Sequence, residues 1–305
     1  MTDQAFTKAL IEACGGSDRL LENESMKRHT SFQIGGPARY LVLPRTEGEL
    51  IAVLKLVREQ CIPYFIMGNG SNLLVDDAGF FGVVIKLAKN FSDIRVEGTS
   101  ILAQAGALLS KIANLALANS LTGLEFASGI PGTLGGAVRM NAGAYGGEMK
   151  DVVVATRYLD ETGHIQEAVG EEHRFGYRTS AFLKGTAILS SKLVLQAGNR
   201  EEIEQAMRDF NARRREKQPL ELPSAGSAFK RPAGSYASKL IDECGLRGFR
   251  VGGAQVSEKH CGFVVNTGNA TCSDVIALFS RVKEIVFEKT GYQLLEEVQI
   301  LKNES

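Results

Sequence analysis

The apolar positions along this chain switch repeatedly between the two periods available to a folded backbone. Phe6, Leu10 and Ala13 recur at helical spacing near the start, and Leu50, Val53, Leu54 and Val57 make a second helical stripe. Thr46 and Glu49 stand just before that stripe at capping-box spacing, so the helix is predicted to open at Thr46. Further helices are predicted near 108–119, over 200–218 with a thin stripe of Ile203, Met207 and Phe210, around 236–244, and over 274–289. The last carries Ile276, Phe279, Val282 and Val286 on one expected face. Between them lie runs that read as strands: 40–43, 64–67, 83–87, a hairpin of 94–96 with 101–105 around Glu97-Gly98-Thr99, and 294–301. A longer hairpin, 152–159 with 164–169, turns at Asp160-Glu161-Thr162-Gly163. Strands and helices interleave irregularly, which places the fold in the α+β class.

Length and composition narrow the field. With 305 residues, 44% of them hydrophobic and 23% charged, the chain is an ordinary globular protein of two or three domains. Thirty-five basic residues balance 35 acidic ones, so no bulk field attracts nucleic acid or an anionic membrane. The five cysteines form no C-x-x-C pair and the four histidines are scattered. Neither a disulfide framework nor a metal site is expected, and a reducing compartment is the natural setting. The polar start, Met1-Thr2-Asp3-Gln4, is unlike a signal peptide, and no run approaches the roughly 18 apolar residues of a membrane span. A cytoplasmic protein without an obligate protein partner is expected.

Two glycine-rich segments carry the first chemical signal. Gly68-Asn69-Gly70-Ser71-Asn72-Leu73 comes after a predicted buried strand, where successive backbone N–H groups could cradle an anion. It fails the dinucleotide fingerprint G-x-G-x-x-G at its last position, Leu73, and no helix is predicted to start there. The second runs from Ser128-Gly129-Ile130-Pro131-Gly132 through Gly135 and Gly136 to Asn141-Ala142-Gly143 and Gly146. Seven glycines between residues 128 and 147 suit backbone wrapped around a flat or charged ligand better than a helix or strand core.

At these segments the chain resembles the UDP-N-acetylenolpyruvoylglucosamine reductases, within the wider vanillyl-alcohol-oxidase type of FAD-binding fold. The resemblance runs from about His29 to Leu301. Besides the two glycine segments it rests on Phe175-Gly176-Tyr177-Arg178, on 225–232 (Ala-Gly-Ser-Ala-Phe-Lys-Arg-Pro), on Lys259-His260-Cys261-Gly262-Phe263, and on Glu297-Val298. The short stretch between Gly147 and Phe175 is similar to the compact subtype of the family.

The resemblance implies a two-part FAD-binding domain, residues 1–90 and 91–205, and a smaller α+β substrate-binding domain, 206–305, whose last strand could return to the FAD-binding region. It implies FAD held without a covalent bond, since no histidine or cysteine lies in the first glycine turn. Gly68 to Leu73, Ser128 to Gly136 and Asn141 to Gly146 would line the cofactor. NADPH would be the hydride donor and a sugar nucleotide the substrate. The implied reaction delivers hydride to the vinyl carbon 3 of an enolpyruvyl ether and a proton to carbon 2. By this resemblance Arg178 would neutralise the substrate carboxylate, Ser227 would donate the proton, and Glu297 would share a hydrogen bond with the developing charge. Tyr177 and Arg214 would bind substrate. Gln299 stands where the family carries an arginine. Taken singly, each residue has an ordinary explanation: a solvated arginine, a turn serine, a surface glutamate. Two rival readings remain open, an FAD-dependent alcohol or sugar oxidase of the same fold and a non-catalytic nucleotide-binding protein.

Overall fold

The computed structural model describes residues 2–182 and 185–303. Among these residues seven α-helices are present: α1 (Asp3–Ala13), α2 (Glu47–Glu59), α3 (Leu109–Ala118), α4 (Leu134–Arg139), α5 (Arg200–Lys217), α6 (Ala237–Glu243) and α7 (Cys272–Thr290). The chain divides into two compact units. The first holds residues 1–22, 40–69 and 82–213; the second holds 23–39, 70–81 and 214–305.

In the first unit the predicted apolar stripe of α2 is buried as a block, with Leu50, Val53, Leu54 and Val57 all inaccessible to solvent. Thr46 caps the helix by accepting the Glu49 N–H at 3.2 Å. The Glu49 carboxylate in turn accepts the Arg45 N–H and pairs with Arg19 on the other side, so the box closes one residue early. Tyr64–Met67 pairs in parallel with residues 83–86. A five-stranded antiparallel sheet completes the unit, in the order Ile165–Val169, Val153–Leu159, Ala187–Val194, Ser100–Gln104, Ile94–Glu97.

The hydrophobic pattern does not mark the central strand of this sheet, because Ser190 and Ser191 interrupt its apolar run. Both serines are buried, and Ser191 is held in a chain of hydroxyls. Its Oγ lies 2.9 Å from the Thr156 hydroxyl, which is 2.9 Å from the Nε2 of the fully buried His173. The Ser191 and Thr156 hydroxyls are tolerated in this core because they bond to each other and to His173.

A second departure from the pattern is α4, a helix within the glycine-rich segment. Glycine weakens a helix by about 1 kcal/mol relative to alanine, but Leu134, Ala137 and Val138 bury one face of it. Gly135 is needed for that burial. Its N–H donates to the Ala105 carbonyl at 2.8 Å, and a Cβ there would sit 2.9 Å from the Ala105 Cβ.

The second unit packs α6 and α7 with a four-stranded antiparallel sheet ordered Ser224–Ser227, Phe263–Asn266, Ala254–Val256, Arg250–Val251. Thr271 and Asp274 form a complete capping box on α7. Phe279, Val282 and Val286 are buried as expected, but Ile276 is 38% exposed, and Val275 and Leu278 complete the face instead. At 3.6 residues per turn, position 276 falls beside the stripe that runs through 275, 278, 279, 282 and 286. The expected strand over 294–301 is also two pieces. Residues 295–297 bond to 228–230, and Gln299–Leu301 pairs in parallel with Leu73–Val75. Among the described residues no helix is long and apolar enough to cross a membrane, and no cluster of His, Cys, Asp or Glu is arranged to hold a metal.

Candidate active site

In the first unit the start of one glycine segment meets the other. The strand Tyr64–Met67 ends at Gly68, where a Cβ would overlap the Thr133 hydroxyl, so only glycine fits. The Asn69 amide donates to the Pro131 carbonyl at 2.9 Å and ties the two segments together. The turn leads into another strand, Leu73–Val75, which removes any dinucleotide fingerprint of the strand–turn–helix kind. Beside this junction opens a cleft lined by Met67, Gly68, Thr133, Gly136, Arg139 and Phe182 among others. Gly136 differs from Gly68 and Gly135. A Cβ there would meet nothing closer than the Thr133 hydroxyl at 3.8 Å, so the protein's own packing does not require glycine. The space it leaves is open to a ligand. The rest of this segment is held by its own backbone and side chains. Ser128 donates to the Glu125 carbonyl, the Ile130 N–H bonds to Ala127, and the Gly132 carbonyl accepts from Leu109.

This contrast yields a test. Gly136→Leu should project into the cleft and weaken FAD binding at least about tenfold, roughly 1.4 kcal/mol. The apoprotein should melt no lower than the parent, since leucine is the better helix former. FAD titration of the two apoproteins checks this, and equal affinities would take the cofactor out of this cleft.

Asn141 is the hub of the next part. It is buried at 1% exposure and adopts a left-handed φ of 41°. Its amide donates to Glu148 at 2.8 Å and to the Gly176 carbonyl at 3.1 Å, while its Oδ1 accepts the Lys150 N–H at 2.9 Å. The side chain is thereby committed to protein partners and fixes the loop that carries Tyr177 and Arg178. Ala142 bonds back to Ala137, Gly143 pairs across to Glu148, and Gly146 turns at a φ of 91°.

Arg178 also holds a left-handed φ, 56°. Its guanidinium lies over the half-exposed Tyr177 ring at 5.2 Å and contacts the Gly143 carbonyl at 3.4 Å. Lys150, the Asn141 amide and the charge of Arg178 hold the Glu148 carboxyl below its ordinary range. Asn141, Tyr145 (φ 53°) and Arg178 are non-glycine residues in a backbone region that costs about 1–3 kcal/mol each. Such strain gathers at sites where side-chain direction matters more than stability.

In the second unit Ser227 ends the strand Ser224–Ser227, and Glu297 lies in the segment that bonds to residues 228–230. Ser227 pairs with Phe263, and Gly226 beside it turns through a φ of 80°, which bulges the strand. The Glu297 N–H donates to the Ala228 carbonyl at 2.9 Å. The Glu296 carboxylate is taken by Lys283 of α7 at 2.7 Å. The Asn72 amide bonds to the Glu297 carbonyl at 3.1 Å. In the same unit the Gly70 carbonyl, at a φ of 65°, accepts the Ser31 N–H, while Leu73 is buried against Gln299. Arg214 sits in the last turn of α5. His260 keeps a structural role here. Its Nδ1 accepts the Gly262 N–H at 3.1 Å, its ring packs edge-on against Phe263, and burial lowers its pKa.

The antiparallel sheet, the glycine junction and its cleft define a flavoprotein: residues 38–168 match the family described as FAD binding domain. Residues 218–301 match the C-terminal domain of UDP-N-acetylenolpyruvoylglucosamine reductase. Proteins of that name from Caldanaerobacter subterraneus and Clostridioides difficile are 54% and 55% identical to this chain. The matches cover 93% and 92% of this chain and 94% and 92% of the relatives. The crystal structure of the reductase from Thermus caldophilus superposes with a TM-score of 0.80 at 38% identity, over 93% of this chain and 98% of that one. The chain belongs to the UDP-N-acetylenolpyruvoylglucosamine reductase family. A glucose oxidase variant of Phl p 4 superposes with a TM-score of 0.52 at 13% identity, over 95% of this chain and 63% of that one, and shares the fold alone.

Proposed function

We propose that the protein reduces the enolpyruvyl ether of UDP-N-acetylglucosamine to UDP-N-acetylmuramate with NADPH, through non-covalently bound FAD, in the cytoplasmic synthesis of peptidoglycan precursors. Such a role would tie it to cell shape and division. The observation that carries the reading is the identity above 50% over more than nine-tenths of the chain to reductases of that name. The alcohol or sugar oxidase alternative rests on fold alone.

The glycine cleft fits FAD: Gly136 keeps backbone open to a ligand, Gly68 lets the first glycine segment close onto Thr133, and Asn69 ties the two segments together beside it. When bound, FAD supplies hydride transfer from the nicotinamide to carbon 3 of the substrate. The side chains then have three tasks. Arg178 faces a carboxylate whose electron density rises as carbon 3 is reduced, and its planar fork suits two-point contact. Tyr177 holds that guanidinium under its ring face and, with Arg214, binds the sugar nucleotide. Ser227 donates its hydroxyl proton to carbon 2, completing the CH–CH₃ unit, and recovers a proton from solvent. A serine is a weak acid, but a carbanion-like acceptor makes position matter more than acidity. Glu297 shares a proton with the substrate carboxylate as its charge develops. We assign the FAD-binding role to residues 1–90 and 91–205 and the substrate-binding role to 206–305.

Two measurements test this. Heat or acid should release intact FAD, whereas flavin that stays with the denatured chain would contradict the non-covalent part. Steady NADPH consumption should require the enolpyruvyl sugar nucleotide. Consumption driven by oxygen and a simple alcohol or sugar would favour the oxidase.

A further inference from the structure

One charged side chain lines the cleft among its described residues, and the catalytic steps leave it unused. Arg139 ends α4 and borders the same space as Gly68, Thr133 and Gly136. Its surroundings there are otherwise apolar or small, with Met67 and Phe182 among them. Burial alone pulls its pKa down, and no neighbouring charge shifts it. Among the described residues no hydrogen bond or ion pair engages its guanidinium; only its backbone carbonyl is used, by the Ser180 hydroxyl at 2.8 Å. A partly desolvated cation without a counter-ion is costly to keep, and such groups are ordinarily paired. Two arginines used structurally elsewhere in this unit are paired with anions, and Arg58 is held by the Tyr64 hydroxyl and backbone carbonyls. Arg157 forms a two-point bridge to Glu47, and Arg19 pairs with Glu49. Arg139 therefore lacks the anion that the other two possess, and it lacks it at the glycine junction.

We propose that Arg139 is the counter-charge for the diphosphate of FAD, fixing the ADP half of the cofactor in the cleft. This rests on FAD being the cofactor and adds a residue outside the glycine segments' backbone. The guanidinium offers a planar pair of donors suited to phosphate oxygens. It also makes the site selective for a dinucleotide, because riboflavin brings no diphosphate.

The test compares apoprotein with Arg139→Met and Arg139→Lys, titrated separately with FAD, ADP, adenosine and riboflavin. Arg139→Met should weaken FAD and ADP by the same factor, about 10- to 100-fold, the worth of a charge-assisted bond lost. Adenosine and riboflavin should change less than about twofold. Arg139→Lys should fall between, and added salt should weaken ADP binding less in Arg139→Met than in the parent. The Arg139→Met apoprotein should melt at the parental temperature or above, because an unpaired desolvated charge has been removed. Unchanged ADP affinity would overturn the proposal, as would an equal loss of adenosine, which would mean stacking on the base. A lower melting temperature of the apoprotein would also overturn it, by showing that the guanidinium serves the protein. If the parent apoprotein bound neither FAD nor ADP, the cofactor reading itself would fail, a result distinct from the others.

Discussion

Ser227→Ala should bleach with NADPH at a near-parental rate and reoxidise with the enolpyruvyl sugar nucleotide about 10²–10⁴-fold more slowly, the usual worth of a positioned general acid. The asymmetry comes from where a proton is needed. Reduction of the flavin involves no proton at carbon 2 of the substrate, whereas completion of the product does. The backbone around Ser227 should not move on substitution. Its neighbour Ala228 donates to Gly262 and accepts from Glu297 through main-chain atoms that alanine at 227 leaves intact. Ser227→Cys should recover part of the lost rate, because a thiol of similar size also carries a proton. Rapid-mixing absorbance at the flavin band reads both halves on one sample. Equal slowing of both would mean that the hydroxyl supports the fold or the cofactor, not proton delivery.

The second large effect is expected at Arg178. Removing its charge, as Arg178→Met, should lower kcat/KM about 10²–10³-fold with normal flavin content, the cost of losing one preorganised donor to developing negative charge. Arg178→Lys restores the charge but not the fork, and should recover only part of the rate. The loop bearing residue 178 should survive both changes, since the Asn141 amide fixes it through the Gly176 carbonyl and not through the arginine side chain. Steady-state kinetics with the FAD absorbance as an occupancy control separates the outcomes. Parental turnover in both variants would remove Arg178 from the reaction.

The legible parts of this fold are those where one face of an element is buried and the other is not. The stripe of α2 and the hairpin at Asp160 are both readable for that reason. Asp160 closes its turn by accepting the Thr162 hydroxyl and the Thr162 and His164 N–H groups, which holds its carboxyl far below the ordinary range. The strand Ala187–Val194 is hidden because five successive residues are buried on both faces, two of them serines, and the hydroxyl partner of Ser191 lies far away in sequence. The helix α4 is hidden because Gly135 is chosen by contact with Ala105, and that contact overrides local preference. The site divides in the same way. Glycine density and the Phe-Gly-Tyr-Arg run can be read from the residues alone. Asn141 as a hub, the pairing of Glu296 with Lys283, and the lone cation at Arg139 depend on tertiary distances that no spacing encodes.

Catalysis on this protein requires one flavin to take electrons from a nicotinamide and pass them to an enolpyruvyl sugar nucleotide. An anaerobic absorbance experiment on the purified protein tests that requirement most directly. The protein should show an oxidised flavin spectrum, bleach fully with one equivalent of NADPH, and regain the oxidised spectrum on addition of the enolpyruvyl ether of UDP-N-acetylglucosamine without oxygen. A colourless protein, or a bleached flavin that recovers only when oxygen is admitted, would contradict it.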